Sequence, residues 1–170
     1  NEVLQDGLLA LVELDFRRAI LYAAIAVESF ANQCLQRSLS EAKTDRAKKH
    51  RFIDLSDSQG SVVVKDPVWE HLANGTDFSK LLHVRPLYLI GRSLLVENEA
   101  LYSKALRLYA TRNKIAHVGE PPTKPQFLPI NADGATVALK TAVDVVRWFG
   151  DSSPYYISEG FIEVENGIAG

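Results

Sequence analysis

Apolar residues in the first third of the chain recur at alternating steps of four and three: Phe16, Ile20, Ala23, Val27, Phe30 and Cys34. That spacing lays a stripe along a helix packed against other helices, and it predicts one long helix over residues 2–39. A neighbouring row, Leu21, Ile25, Glu28, Asn32 and Leu35, sets a carboxylate and an amide in line with core positions, where both need polar partners. A second stripe, Leu101, Ala105, Leu108, Arg112 and Ile115, predicts a helix over 99–117 that Asn98 caps and Gly119, Pro121 and Pro122 stop. Val137, Thr141, Val145 and Trp148 share a side of a third, over 134–149, with Asp133 as its cap and Gly150 closing it.

The chain between these stripes is less regular. Ser40 is placed to cap a short basic helix, and residues 52–64 read as a loop with one short strand at 61–65. A short helix over 68–73 follows Pro67 and ends at Asn74-Gly75. Thr76 caps the next segment, which Pro86 and Gly91 punctuate. The tail over 154–165 alternates around Glu159-Gly160, the pattern of a small β-hairpin. The sum is a single all-α domain spanning 1–170, an antiparallel bundle of four to five helices, with residues 150–170 as a tail that carries the hairpin.

Composition narrows the function classes. The chain has 170 residues, 46% of them hydrophobic, enough for one domain with a real core. Its net charge of −2 provides no global field for polyanions, so contact with nucleic acid has to come from a local patch. The stretch over 41–51 is that patch: Lys43, Arg46, Lys48, Lys49 and Arg51 face only two acids. Such a run is also the composition of a plain solvated face. One cysteine, Cys34, cannot form an internal disulfide and fits a reducing, cytoplasmic setting. Charges interrupt every apolar run before the ~18–20 residues of a membrane span, and no basic-then-apolar leader opens the chain. The start at Asn1 and the absence of methionine read as a segment of a longer protein, with fused domains outside it. The histidines are not at metal-ligand spacing and there is no CxxC, HExxH, phosphate loop or GxSxG, so neither a metal nor a cofactor is expected.

The segment 108–120, LYATRNKIAHVGE, is the most specific part of the sequence. It sets Arg112, Asn113, Lys114 and His117 at a helix end. Asn113 and His117 lie one turn apart on one face, whereas Arg112 and His117 are about 140° apart, an angle that the long arginine side chain can bridge. The run Arg112-Asn-Lys-Ile-Ala-His117 resembles the R-x(4–6)-H signature of the HEPN family, in which a polar residue commonly follows the arginine. The segment AAIAVESFANQCL is similar to the family's opening helix, with Glu28 at the place of an acidic residue that faces the arginine helix. The likeness covers roughly residues 16–35 and 101–120.

That resemblance implies an antiparallel helical bundle that dimerises, bringing two Arg/His pairs into one cleft, and metal-independent cleavage of RNA. A neutral His117 would take the proton of a 2′-hydroxyl, and Arg112 would stabilise the charge that builds on the phosphate. Asn113 would orient the phosphate or the His ring, and Glu28 would hold Arg112. Lys114 and the 43–51 cations would track the RNA backbone. The family also implies settings in phage defence or toxin–antitoxin control, with an antitoxin as a partner. At Gly119 the chain departs from a toxin subgroup that has a tyrosine there. Read without the family, the same residues form an ion pair knitting two helices and a histidine at a helix C-terminus, the makings of a non-catalytic module that binds RNA, a nucleotide or a protein.

Overall fold

Two helices, not one, occupy the start of the chain: α1 (Glu2–Val12) and α2 (Phe16–Lys49). Leu14 breaks the run by adopting a left-handed conformation, φ 62°. The break is a Schellman closure, with Leu14 N–H donating to Leu11 C=O at 3.0 Å and Asp15 N–H to Ala10 C=O at 2.8 Å. Asp15 then caps α2 by accepting from the Arg18 N–H at 3.0 Å. Beyond the break α2 runs unbroken for 34 residues. Ser40 therefore lies inside a helix and starts none, because the glutamate, alanines, lysines and arginine after it are good helix formers.

The computed structural model describes residues 2–49, 77–118 and 124–151. Its further elements are α3 (Phe78–Leu82), α4 (Val84–Ile90), α5 (Leu94–Glu97), α6 (Glu99–Val118) and α7 (Ala132–Gly150). The architecture is all-α. The strand expected at 61–65, the helix at 68–73 and the hairpin at 154–165 lie outside the described residues. Among those described, no helix is long and apolar enough to cross a membrane.

The predicted α6 forms with its cap, Asn98 Oδ1 accepting from the Leu101 N–H at 3.0 Å. For α7 the cap is Asn131 rather than Asp133, since Asn131 Oδ1 takes the Gly134 N–H at 2.9 Å. Gly134 is required there: a Cβ would stand 1.9 Å from the Pro129 carbonyl oxygen. Asp77, not Thr76, caps α3, accepting from the Ser79 N–H at 3.0 Å. Pro86 sits in the first turn of α4, where its missing N–H interrupts no helical bond, and Gly91 ends that helix at φ 72°.

Four helices carry the bundle. Gly7 of α1 meets Tyr22 of α2 and Leu139 of α7, while Val3 and Leu4 meet Ala26, Phe30 and Val146. These contacts run α1 against α2 and set α7 in the same direction as α2. In turn α6 is antiparallel to α7, since Asn98 and Leu101 lie beside Trp148 and Asp151 at one end. At the other end Thr111 Oγ1 accepts from the Leu128 N–H at 2.9 Å, just ahead of α7. Small side chains make these approaches close. Ala19, Ala23 and Ala31 of α2 and Ala135, Ala138 and Ala142 of α7 are all fully buried. Val137, expected in the α7 stripe, is 42% exposed; Thr141, Val145 and Trp148 are buried as expected.

A polar lock secures the start of α6. Arg92 Nε donates to both oxygens of Glu97 at 3.0 Å, and Trp148 Nε1 donates to Glu97 Oε2 at 2.8 Å. Arg92 also lies over the Trp148 ring, 4.9 Å from its centroid. These donors hold the Glu97 carboxyl down at about 2, Arg92 first among them.

Candidate functional site

Both ends of the helix that carries Arg112 are fastened. The Glu97 lock holds its start, and near its end Thr111 is buried with its hydroxyl donating to the Arg107 carbonyl at 2.8 Å. Arg107 Nη2 reaches the carbonyls of Pro125 and Phe127 at 3.0 and 2.6 Å, binding the following loop to α6. The last two turns, which hold the motif, are therefore set against a fixed frame.

Among the described residues, Arg112 has three polar or aromatic partners. Its Nη2 lies 3.9 Å from Glu28 Oε2 of α2, an ion-pair distance beyond hydrogen-bond reach. Nη1 donates to Asn113 Oδ1 at 2.9 Å. Its guanidinium carbon stands 5.7 Å from the Tyr109 ring centroid, and Tyr109 is stacked in turn on Phe78 of α3, centroids 4.1 Å apart and planes at 3°. The side chains of Arg112 and Glu28 are 29% and 36% exposed, so the pair is wetted rather than sealed in the core. A cation placed this way is oriented from three sides and still open to an anion.

His117 is exposed on the last turn of α6, and among the described residues no hydrogen bond joins it to Arg112 or Asn113. Asn113 serves Arg112. Lys114 is half-buried on the same helix. Lys43, Arg46, Lys48 and Lys49 fall on the last turns of α2, but their side chains lie outside the described residues, as does all of Arg51. Among the described residues no three His, Cys, Asp or Glu side chains are grouped to hold a metal.

Sequence reasoning missed a second arginine. Arg85 of α4 is only 3% exposed, and its Nη1 donates to Asn32 Oδ1 at 3.0 Å. Burial pushes its pKa down. Asn32 lies one turn beyond Glu28 on α2, so the polar row of that helix meets an arginine at each of its two positions. The unmet polar demand of Asn32 was the available signal. Nothing in the short α4 sequence marks Arg85 as its partner.

The class defined by these observations is an all-α bundle with an arginine and a histidine presented at the end of its third long helix. Comparison with models of protein families, with curated proteins and with solved structures finds no match to the chain.

Proposed function

We propose that this chain is a metal-independent endoribonuclease of the HEPN type, working in the cytoplasm as a homodimer whose cleft joins two Arg112/His117 pairs. The observation that carries the reading is the state of Arg112: aimed from three sides, yet about a third exposed and only loosely paired with Glu28. A purely structural arginine would be better served by a sealed, hydrogen-bonded pair.

In the reaction, neutral His117 takes the proton of an RNA 2′-hydroxyl. The 2′-oxygen attacks the adjacent phosphorus, the bond to the 5′-oxygen breaks, and that oxygen takes a proton from solvent. Arg112 donates to the phosphate oxygens as charge accumulates on them, Asn113 and Glu28 keep the guanidinium aimed, and Lys114 with the basic end of α2 draws in the RNA backbone. The products are a 2′,3′-cyclic phosphate and a 5′-hydroxyl. Mapping the termini produced from a single-stranded RNA tests this chemistry. Those two ends are expected, with no cleavage of the 2′-deoxy analogue; cleavage of both strands alike would contradict it.

A second reading draws on the arrangement of His117 and Arg112, which no hydrogen bond joins among the described residues. In it the same surface binds RNA, a nucleotide or a protein without cutting, and an antitoxin or fused domain supplies the biological output.

A further inference from the structure

We infer that Asn32 is a further RNA-contacting residue of this site, a neutral donor for a phosphate next to the one at Arg112, and that Arg85 is the residue that positions it. The inference rests on the proposal that RNA occupies the Arg112 cleft.

The argument begins with the amide. A guanidinium has donors only, so the atom of Asn32 that Arg85 Nη1 meets at 3.0 Å has to be the carbonyl oxygen. This fixes the flip of the side chain, and its NH2 group points away from Arg85. Asn32 is half-buried, and the Arg85 contact is its side-chain hydrogen bond among the described residues. No buried, unsatisfied nitrogen is found on it, so the NH2 group reaches solvent. A side chain held by a buried arginine, with an amide nitrogen that is not sealed in the core, is preorganised for an acceptor.

The placement follows from helix geometry. Asn32 lies one turn past Glu28, at a Cβ separation of roughly 5–6 Å. Arg112 meets Glu28, so Asn32 lies about one turn of α2 away from that contact. A single strand whose reacting phosphate sits at Arg112 would carry the neighbouring phosphate to Asn32. With its oxygen turned to Arg85, Asn32 keeps its two amide donors for another partner, which suits phosphate oxygens.

Asn32→Asp is the discriminating substitution. Its carboxylate still accepts from Arg85, now as an ion pair, so the fold is kept or stabilised, while the outward group becomes a repelling oxygen. Asn32→Ser is the second variant, retaining an acceptor but removing the amide donors. Binding of a single-stranded 2′-fluoro oligonucleotide, which lacks the attacking hydroxyl, is read by fluorescence anisotropy alongside Tm. The Kd is expected to rise at least tenfold for Asn32→Asp and severalfold for Asn32→Ser, with Tm unchanged or higher for Asn32→Asp. A Kd within twofold of wild type in both variants overturns the inference, and so does a wild-type protein that binds no oligonucleotide. RNA cleavage by the wild type and Arg112→Ala proteins is measured in parallel. Binding that depends on Asn32 without any cleavage would uphold this inference and defeat the catalytic proposal.

Discussion

Arg112 and Glu28 separate a catalytic role from a structural one by magnitude. At 3.9 Å the pair's Coulomb energy is about 1 kcal/mol at the dielectric of water and about 4 kcal/mol at an effective value of 20. Both side chains are roughly a third exposed, which places the pair near the lower limit. Ordering two long side chains takes back part of that, leaving a coupling of about 0.5 kcal/mol. The contact of Arg112 with Tyr109 adds about 0.5 kcal/mol, and the exchange of its bond to Asn113 for water adds little. Arg112→Ala should therefore cost about 1–1.5 kcal/mol in all, whereas breaking a buried pair costs about 3–5 kcal/mol. The assay is urea denaturation of wild type, Arg112→Ala, Glu28→Gln and the double variant. Equal m-values and a coupling below about 1 kcal/mol are expected. A loss above about 3 kcal/mol for either single variant would refute the reasoning and make the pair a structural fastening.

Other outcomes follow from the fold. The folded-state carboxyl of Glu97, at about 2, lies below its ordinary value of 4.5. Its contribution is thus complete above pH 4.5 and fades as pH falls toward 2; screening of a group about a third exposed holds it to about 1–2 kcal/mol. The stability difference between wild type and Glu97→Gln should shrink over that interval in urea titrations, and a difference independent of pH would contradict the lock. Leu14 is left-handed and 71% exposed, so Leu14→Gly should raise stability by about 0.5–1.5 kcal/mol, seen as a higher Tm. A lower Tm would mean that the Leu14 side chain packs where its exposure says it does not.

Periodic apolar stripes made α6 and α7 legible, because long helices buried on one side must repeat every three to four residues. The α1–α2 break was not legible, since the left-handed position that usually advertises itself with glycine is held by Leu14. Ser40 misled for the opposite reason, a capping residue surrounded by helix formers that override it. Val137 looked like a core residue, but alanines at 135, 138 and 142 make the close contacts of α7, and their low hydrophobicity hides them. At the site, the Glu28–Arg112 meeting was expected from the family resemblance, whereas the polar row on α2 said only that Glu28 and Asn32 need partners. The Arg85–Asn32 contact and the Phe78–Tyr109 stack depend on α3 and α4, too short to show a period, so only the folded chain reveals them.

The proposed chemistry is tested most directly by incubating mixed cellular RNA with the purified protein in EDTA, beside Arg112→Ala and His117→Ala proteins shown to be folded. The account predicts cleavage by wild type and its loss, by a hundredfold or on that order, in both variants. Equal activity in all three proteins, or none in wild type across several RNAs, would contradict it.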